Sequence, residues 1–136
     1  MFKRIIIFLV VTFLFLVPAP VFAKDYSIPS ADFVVQINPD GSADVTETRT
    51  YSFDGSFTWA DEWIPLKTST ISNISLDGGD LIQDISTDRV YLKWYYEAYS
   101  ENKTFTLKYR IDHAVTNQKD ISEYYWQLIG DEWLCD

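Results

Sequence analysis

Glu47 and Arg49 stand two residues apart in a segment that alternates like a β-strand, on the parity of Val45 and Tyr51. A regular strand sends alternate side chains to one face, so both charges point toward the side where the apolar residues gather. Burying such a pair is costly unless it is fully hydrogen-bonded, and that cost sometimes marks a site. The structural alternative is a bulge that turns the pair to solvent, or an edge strand protected by inward charge. We read the pair as structural, so that Glu47→Ala mainly lowers stability.

Asp61, Glu62, Glu123, Asp131 and Glu132 lie near Trp59, Trp126 and Trp133 in the sequence. Glycoside hydrolysis needs two carboxylates facing each other across about 5 to 9.5 Å. In a chain with 20 acidic residues, acids beside tryptophan arise by chance, and no enzyme is expected. A carbohydrate-binding face of stacked Trp and Tyr is the alternative use of these rings, set against their filling the core. The candidate binding residues are therefore Glu47, Arg49, Trp126 and Trp133.

Asn38, Asp40 and Asp44 suggest a calcium loop, but the full spacing and the later Glu are missing, and a hairpin turn accounts for them better. His113 is the sole histidine and Cys135 the sole cysteine, so neither zinc nor an internal disulfide is expected. A Ser/His/Asp arrangement can be assembled only through His113, and no nucleophile elbow or glycine-rich phosphate loop is present. No cofactor is expected. Asn73-Ile74-Ser75 and Asn102-Lys103-Thr104 match the glycosylation pattern, which matters only in a host that uses it.

The elements that must position these residues are strands. Phe33 to Ile37 alternates, Asn38-Pro39-Asp40-Gly41 supplies a hairpin turn, and Asp44 to Phe53 is rich in Thr, Tyr and Val. Asp25 to Ser30, with Pro29, reads as a lead-in. Phe57 to Leu66 contains Pro65, which cannot donate to a ladder and assigns this piece to an edge or a connection. Leu81 to Ile85, Val90 to Tyr95, Thr104 to Asp112 and Ile121 to Ile129 follow, with turn signals at Asp54-Gly55, Asp77-Gly78-Gly79-Asp80 and Ser100 to Lys103. Short strands at intervals of about ten residues argue an all-β, antiparallel, immunoglobulin-like β-sandwich.

The chain has 136 residues, 47% hydrophobic and 23% charged, enough for one domain with a core. Lys3 and Arg4, the apolar run from Ile5 to Val17, and Val21-Phe22-Ala23 read as a signal peptide over 1–23, with the β-sandwich domain at 24–136. An uncleaved anchor is the alternative, but 13 helical residues cover only about 20 Å of a roughly 30 Å hydrocarbon layer. Without Lys3 and Arg4, nine basic residues face 20 acidic ones, a net charge of −11. Nucleic acid and anionic lipid headgroups are poor partners for such a surface. The five Trp and nine Tyr make the aromatics mostly amphipathic.

Asn38-Pro39-Asp40-Gly41-Ser42, Val45-Thr46-Glu47, Tyr51 to Phe57 and Ile64-Pro65 resemble the opening of domain-of-unknown-function family 2207, predicted bacterial and archaeal membrane proteins. Phe105 to Ile111, Ala114-Val115 and Glu123-Tyr124-Tyr125-Trp126 through Gly130 and Trp133 resemble its second signature, so the likeness spans most of Ile28 to Trp133. The resemblance implies a β-rich extracytoplasmic domain behind a signal peptide, followed by transmembrane helices, with no established activity. It also implies an Arg two residues before the Ile-Pro pair, where this chain has Glu62.

The expected function is an extracytoplasmic interaction or sensing module of a membrane-anchored protein, with an unknown protein or cell-surface partner. A secreted carbohydrate-binding or glycosidase-associated domain is the alternative. Apolar Trp133 and Leu134 near the end lead us to expect a truncated domain, poorly folded as 24–136 alone, whose continuation leads into membrane spans of about 20 residues.

Overall fold

A computed structural model describes residues 23–66, 68–126 and 133–135, the last three through their main chain. Residues 1–22 of the signal peptide read over 1–23, and the acids Asp131 and Glu132, lie outside the described residues. Among the described residues, ten strands run in the order β1 (Asp25–Ile37), β2 (Ala43–Asp54), β3 (Ser56–Pro65), β4 (Thr70–Asp77), β5 (Asp80–Ile85), β6 (Arg89–Tyr99), β7 (Asn102–Asp112), β8 (Val115–Asn117), β9 (Ser122–Tyr124) and β10 (Trp133–Cys135). Two four-stranded antiparallel sheets form, ordered β1-β2-β7-β4 and β10-β3-β6-β5, with β8 and β9 as a separate ribbon.

The β1–β2 hairpin closes as its turn chemistry dictates. Asn38 N–H donates to the Ser42 carbonyl at 2.8 Å and Gly41 N–H to the Asn38 carbonyl at 3.0 Å. Gly41 has φ +80°, a region that favours glycine. Asp25 to Ser30 is part of β1, not a lead-in: Asp25 pairs with Asp54, and a register shift between Ser27 and Ser30 spans Pro29. β1 is an edge strand, where the lost proline donor breaks no inner ladder.

The core lies between the two large sheets, and strand parity selects it. Val45, Tyr51, Phe53, Phe105, Leu107, Tyr109 and Ile111 come from one sheet; Phe57, Ala60, Ile64, Val90, Leu92, Trp94 and Tyr96 come from the other. Rings tie the layers together, with Phe53 and Phe57 centroids 4.7 Å apart and Tyr96 and Phe105 4.8 Å apart. Aromatic pairs at such spacings gain beyond their buried area.

The sandwich stands as expected, but its connectivity departs from the constant-type immunoglobulin order, in which the fifth strand lies beside the fourth and the seventh beside the sixth. Here β7 lies beside β4, and β5 lies beside β6. The physical reason is in the corners. Gly55, Gly78-Gly79 and Ser100-Glu101 each carry the chain from one sheet to the other instead of reversing it within a sheet. Gly78 has φ +101°, and a Cβ there would lie 2.7 Å from the Thr104 carbonyl oxygen, so this corner requires glycine.

Candidate functional site

β2 is an inner strand, paired on both sides, and its ladder with β7 runs unbroken from Ala43 to Ser52. No bulge turns Glu47 and Arg49 to solvent and no edge accounts for them, so that part of the structural reading is corrected. Glu47 and Arg49 are 2% and 3% exposed, and Glu62 from β3 in the facing sheet meets them at 3%. The Arg49 guanidinium grips Glu62 in a fork, Nη1 to Oε2 at 3.0 Å and Nη2 to Oε1 at 3.1 Å. Arg49 Nε faces Glu47 Oε1, and the Phe33 ring centroid lies 5.8 Å from the guanidinium carbon.

Two carboxylates and one guanidinium are thus enclosed by Leu76, Trp94, Phe105 and Leu107, beside a cavity of about 10 Å³. Glu47 Oε2 and Trp94 Nε1 have no hydrogen-bond partner among the described residues. Burial lowers the Arg49 pKa, against the opposing pull of Glu62, and burial raises that of Glu62, against Arg49. Nearby Tyr109 is also raised, chiefly by burial and then by the charge of Glu62. The bidentate pair is strong in geometry, and it is sealed from solutes.

Glu62 stood out in the sequence as an acid beside Trp59 and as the departure from the family's Arg, but its partnership with Arg49 was missed. Its signal was present: it occupies the parity of Ala60 and Ile64, the same inward misfit that singled out Glu47 and Arg49. The other expected residues fall elsewhere. Trp126 packs against the core margin with Tyr124, and its indole opposes the upward shift of Tyr109. The Trp133 main chain pairs opposite Glu62 on β3.

Of the acids weighed for glycoside hydrolysis, the described ones, Asp61, Glu62 and Glu123, are dispersed. Glu62 points inward, whereas Asp61 points outward and accepts from the Tyr91 hydroxyl at 2.9 Å. Glu123 is exposed on β9. It lines an open cleft of about 360 Å³ with Ser69, His113 and Trp126, but the Ser69 hydroxyl donates to the His113 backbone carbonyl at 3.2 Å. Asn38, Asp40 and Asp44 are drawn into the turn: Asn38 donates to Asp44 at 2.8 Å, and Asp40 accepts from the Ser42 hydroxyl at 2.6 Å and from Arg110 at 2.7 Å. Among the described residues no group of three or more His, Cys, Asp or Glu is placed to hold a metal ion.

A second surface was not singled out from the sequence. On the outward face of the β10-β3-β6-β5 sheet, Trp59 pairs with Tyr95, Asp61 with Lys93 and Trp63 with Tyr91. Trp63 and Tyr91 ring centroids are 4.3 Å apart. Arg89 lies over Trp63 at 4.3 Å and Lys93 over Trp59 at 3.8 Å. Burial, then the hydrogen bond to Asp61, pushes the Tyr91 pKa up to about 12. The alternations Trp59-Asp61-Trp63 and Tyr91-Lys93-Tyr95 are the signal that finds this face, once β3 and β6 are known to be neighbours.

An antiparallel β-sandwich with a sealed ionic cluster defines the class. Residues 27–136 match the predicted membrane protein (DUF2207) N-terminal domain, and the chain belongs to that family. No curated protein and no solved structure matches it. Among the described residues, no helix is long and apolar enough to cross a membrane.

Proposed function

We propose that this chain is the extracytoplasmic interaction or sensing module of its membrane protein and works by recognition, without catalysis. The observation that carries the reading is the closure of the Glu47–Arg49–Glu62 cluster, whose side chains are no more than 4% exposed. Convergent acid and base groups that no substrate reaches stabilise or specify a fold; they do not turn a reaction over. Membership of a membrane-protein family and the Lys3-Arg4 apolar leader support the extracytoplasmic side. The partner is a protein or another cell-surface molecule; a charge of −11 without the leader disfavours nucleic acid.

The test uses the full-length protein in its membrane. Thr87 is exposed between β5 and β6, so Thr87→Cys in a Cys135→Ser background offers one accessible thiol in this domain. A membrane-impermeant maleimide is expected to label it in intact cells. Labelling only after lysis overturns the extracytoplasmic placement. Turnover of a glycan by the purified chain, lost in a folded Glu62→Gln variant, overturns the non-catalytic reading.

A further inference from the structure

We propose that the outward face of the β10-β3-β6-β5 sheet is a binding platform for a neutral, linear oligosaccharide. This deepens the recognition role and rests on it. The platform consists of two aromatic cross-strand pairs, Trp59 with Tyr95 and Trp63 with Tyr91, separated by Asp61 and Lys93, which stand opposite each other in the ladder. Trp59 and Trp63 are four residues apart on β3, so the two aromatic pairs are centred about 13 Å apart along the strands. A run of a few sugar rings lying along β3 and β6 spans that distance.

Each part suits the chemistry of a sugar. The CH-bearing faces of sugar rings pack on aromatic rings, and their hydroxyls need both donors and acceptors between the stacking points. Lys93 is a donor and Asp61 an acceptor, and Asp61 is already oriented by the Tyr91 hydroxyl at 2.9 Å. The rings stand on the parity opposite to the core residues Ala60, Ile64, Leu92 and Trp94, so filling the sandwich does not explain them. Trp59, Trp63 and Tyr91 are half-buried and Tyr95 is 43% exposed; Lys93 covers part of the Trp59 ring and Arg89 part of the Trp63 ring, so a sugar takes the remaining ring surface or displaces these two flexible side chains.

Charge decides between occupants. The chain without its leader carries −11, and on or beside this face Asp61, Asp80, Asp84 and Glu97 outnumber Arg89 and Lys93. A polyanion, an anionic membrane and a second copy of the chain all meet that field with repulsion; a neutral glycan does not. Proline-rich segments also dock on aromatic rings, but proline has a carbonyl acceptor and no N–H donor. Such a segment offers Asp61, which is 9% exposed, no donor beyond the Tyr91 hydroxyl it already holds.

The full chain is titrated with neutral hexasaccharides, namely cellohexaose, xylohexaose, mannohexaose and chitohexaose, by intrinsic tryptophan fluorescence and calorimetry. Phosphatidylcholine vesicles and a proline-rich peptide form the other arms. One of the sugars is expected to bind and to perturb tryptophan emission. Trp63→Ala and Trp59→Ala should each weaken it about tenfold, the order expected for losing one stacked ring. Tyr95→Ala, at the most exposed ring, is the variant least able to disturb folding and should weaken binding too, while Trp126→Ala should leave it unchanged. The platform is refuted if none of the sugars binds, if binding survives in both Trp variants with melting intact, or if only the vesicles or the peptide bind. Should the sugars fail while Thr87→Cys is labelled in intact cells, the platform falls and the extracytoplasmic placement stands; should labelling also require lysis, both fall.

Discussion

Arg49 and Arg110 sit on neighbouring strands of one sheet, each among carboxylates, and they face opposite ways. Arg49 points between the sheets to Glu47 and Glu62. Arg110 points outward, with Nη2 2.7 Å from Asp40, Nε 3.2 Å from Asp112 and Nη1 3.6 Å from Asp44. Burial lowers the pKa of Arg49. For Arg110 desolvation pulls the same way but is outweighed by the Asp112 hydrogen bond and the Asp40 and Asp44 charges, so its pKa is raised. The partners are alike in chemistry; what differs is water. In the interior, desolvation competes with attraction, and removing one partner strands the others. At the surface, solvent stands ready to replace whatever is removed.

The largest effect should come from Arg49→Met, which leaves Glu47 and Glu62 buried without their cation. Breaking a buried pair in this way costs about 3 to 5 kcal/mol, read as a fall in the urea midpoint. Replacing Glu47 and Glu62 by Gln in the same chain should recover most of that loss, because no charge is then stranded. A triple variant as unstable as Arg49→Met would show that the cluster stabilises through something other than charge balance.

Glu47→Ala should be milder, roughly 2 to 3 kcal/mol, from the lost volume and from the Arg49 nitrogen left facing an apolar gap. Sugar or partner binding should be unchanged. A variant with intact melting and abolished binding would turn the pair from a structural device into a site.

The pH dependence tests the same cluster. Burial raises the pKa of Glu62 above its ordinary value of 4.5. Between that value and the raised one, the folded chain binds more protons than the unfolded chain, so stability falls as pH rises through that window. A Glu62→Gln variant should lack this slope. Melting temperature measured from pH 7 downward should therefore converge between wild type and variant if the variant starts higher, and diverge in favour of wild type if it starts level. Parallel curves would mean that Glu62 keeps an ordinary pKa in the folded chain.

Much of the fold was legible because period-two alternation is a direct record of which side chains face the core. Phe105, Leu107, Tyr109 and Ile111 alternate in sequence and are buried together in β7. The turn at Asn38 to Ser42 was legible for the same reason, its residues having one conformational use. What parity does not carry is connectivity. Gly55 and Gly78-Gly79 look like hairpin turns in sequence and prove to be corners between sheets, and a turn signal is silent on that difference. The partner of Arg49 was hidden likewise: Glu62 is 13 positions away on a strand of the other sheet, so only the stacking of the layers brings it near. The outward aromatic face was lost to the same ignorance of neighbours, since Trp59 and Trp63 meet Tyr95 and Tyr91 only through the β3–β6 ladder.

The smallest effects belong to the outward-facing, half-buried arginine, and they separate local from long-range electrostatics. The Asp40 carboxyl is held below its usual value first by the Ser42 hydroxyl and backbone N–H, and only to a lesser extent by Arg110. With a folded pKa below the unfolded one, Asp40 contributes stability above the unfolded value, lost as pH falls through the folded one. Ser42→Ala should therefore raise the Asp40 pKa more than Arg110→Ala does, by carboxyl-carbon NMR titration. Arg110→Ala should lower the melting temperature by a few degrees at most, and its difference from wild type should shrink as salt screens the exposed charges. If Arg110→Ala proved as damaging as Arg49→Met, or its effect were indifferent to salt, solvent access would not be what distinguishes the two clusters, and the contrast would have to be sought in the strands that carry them.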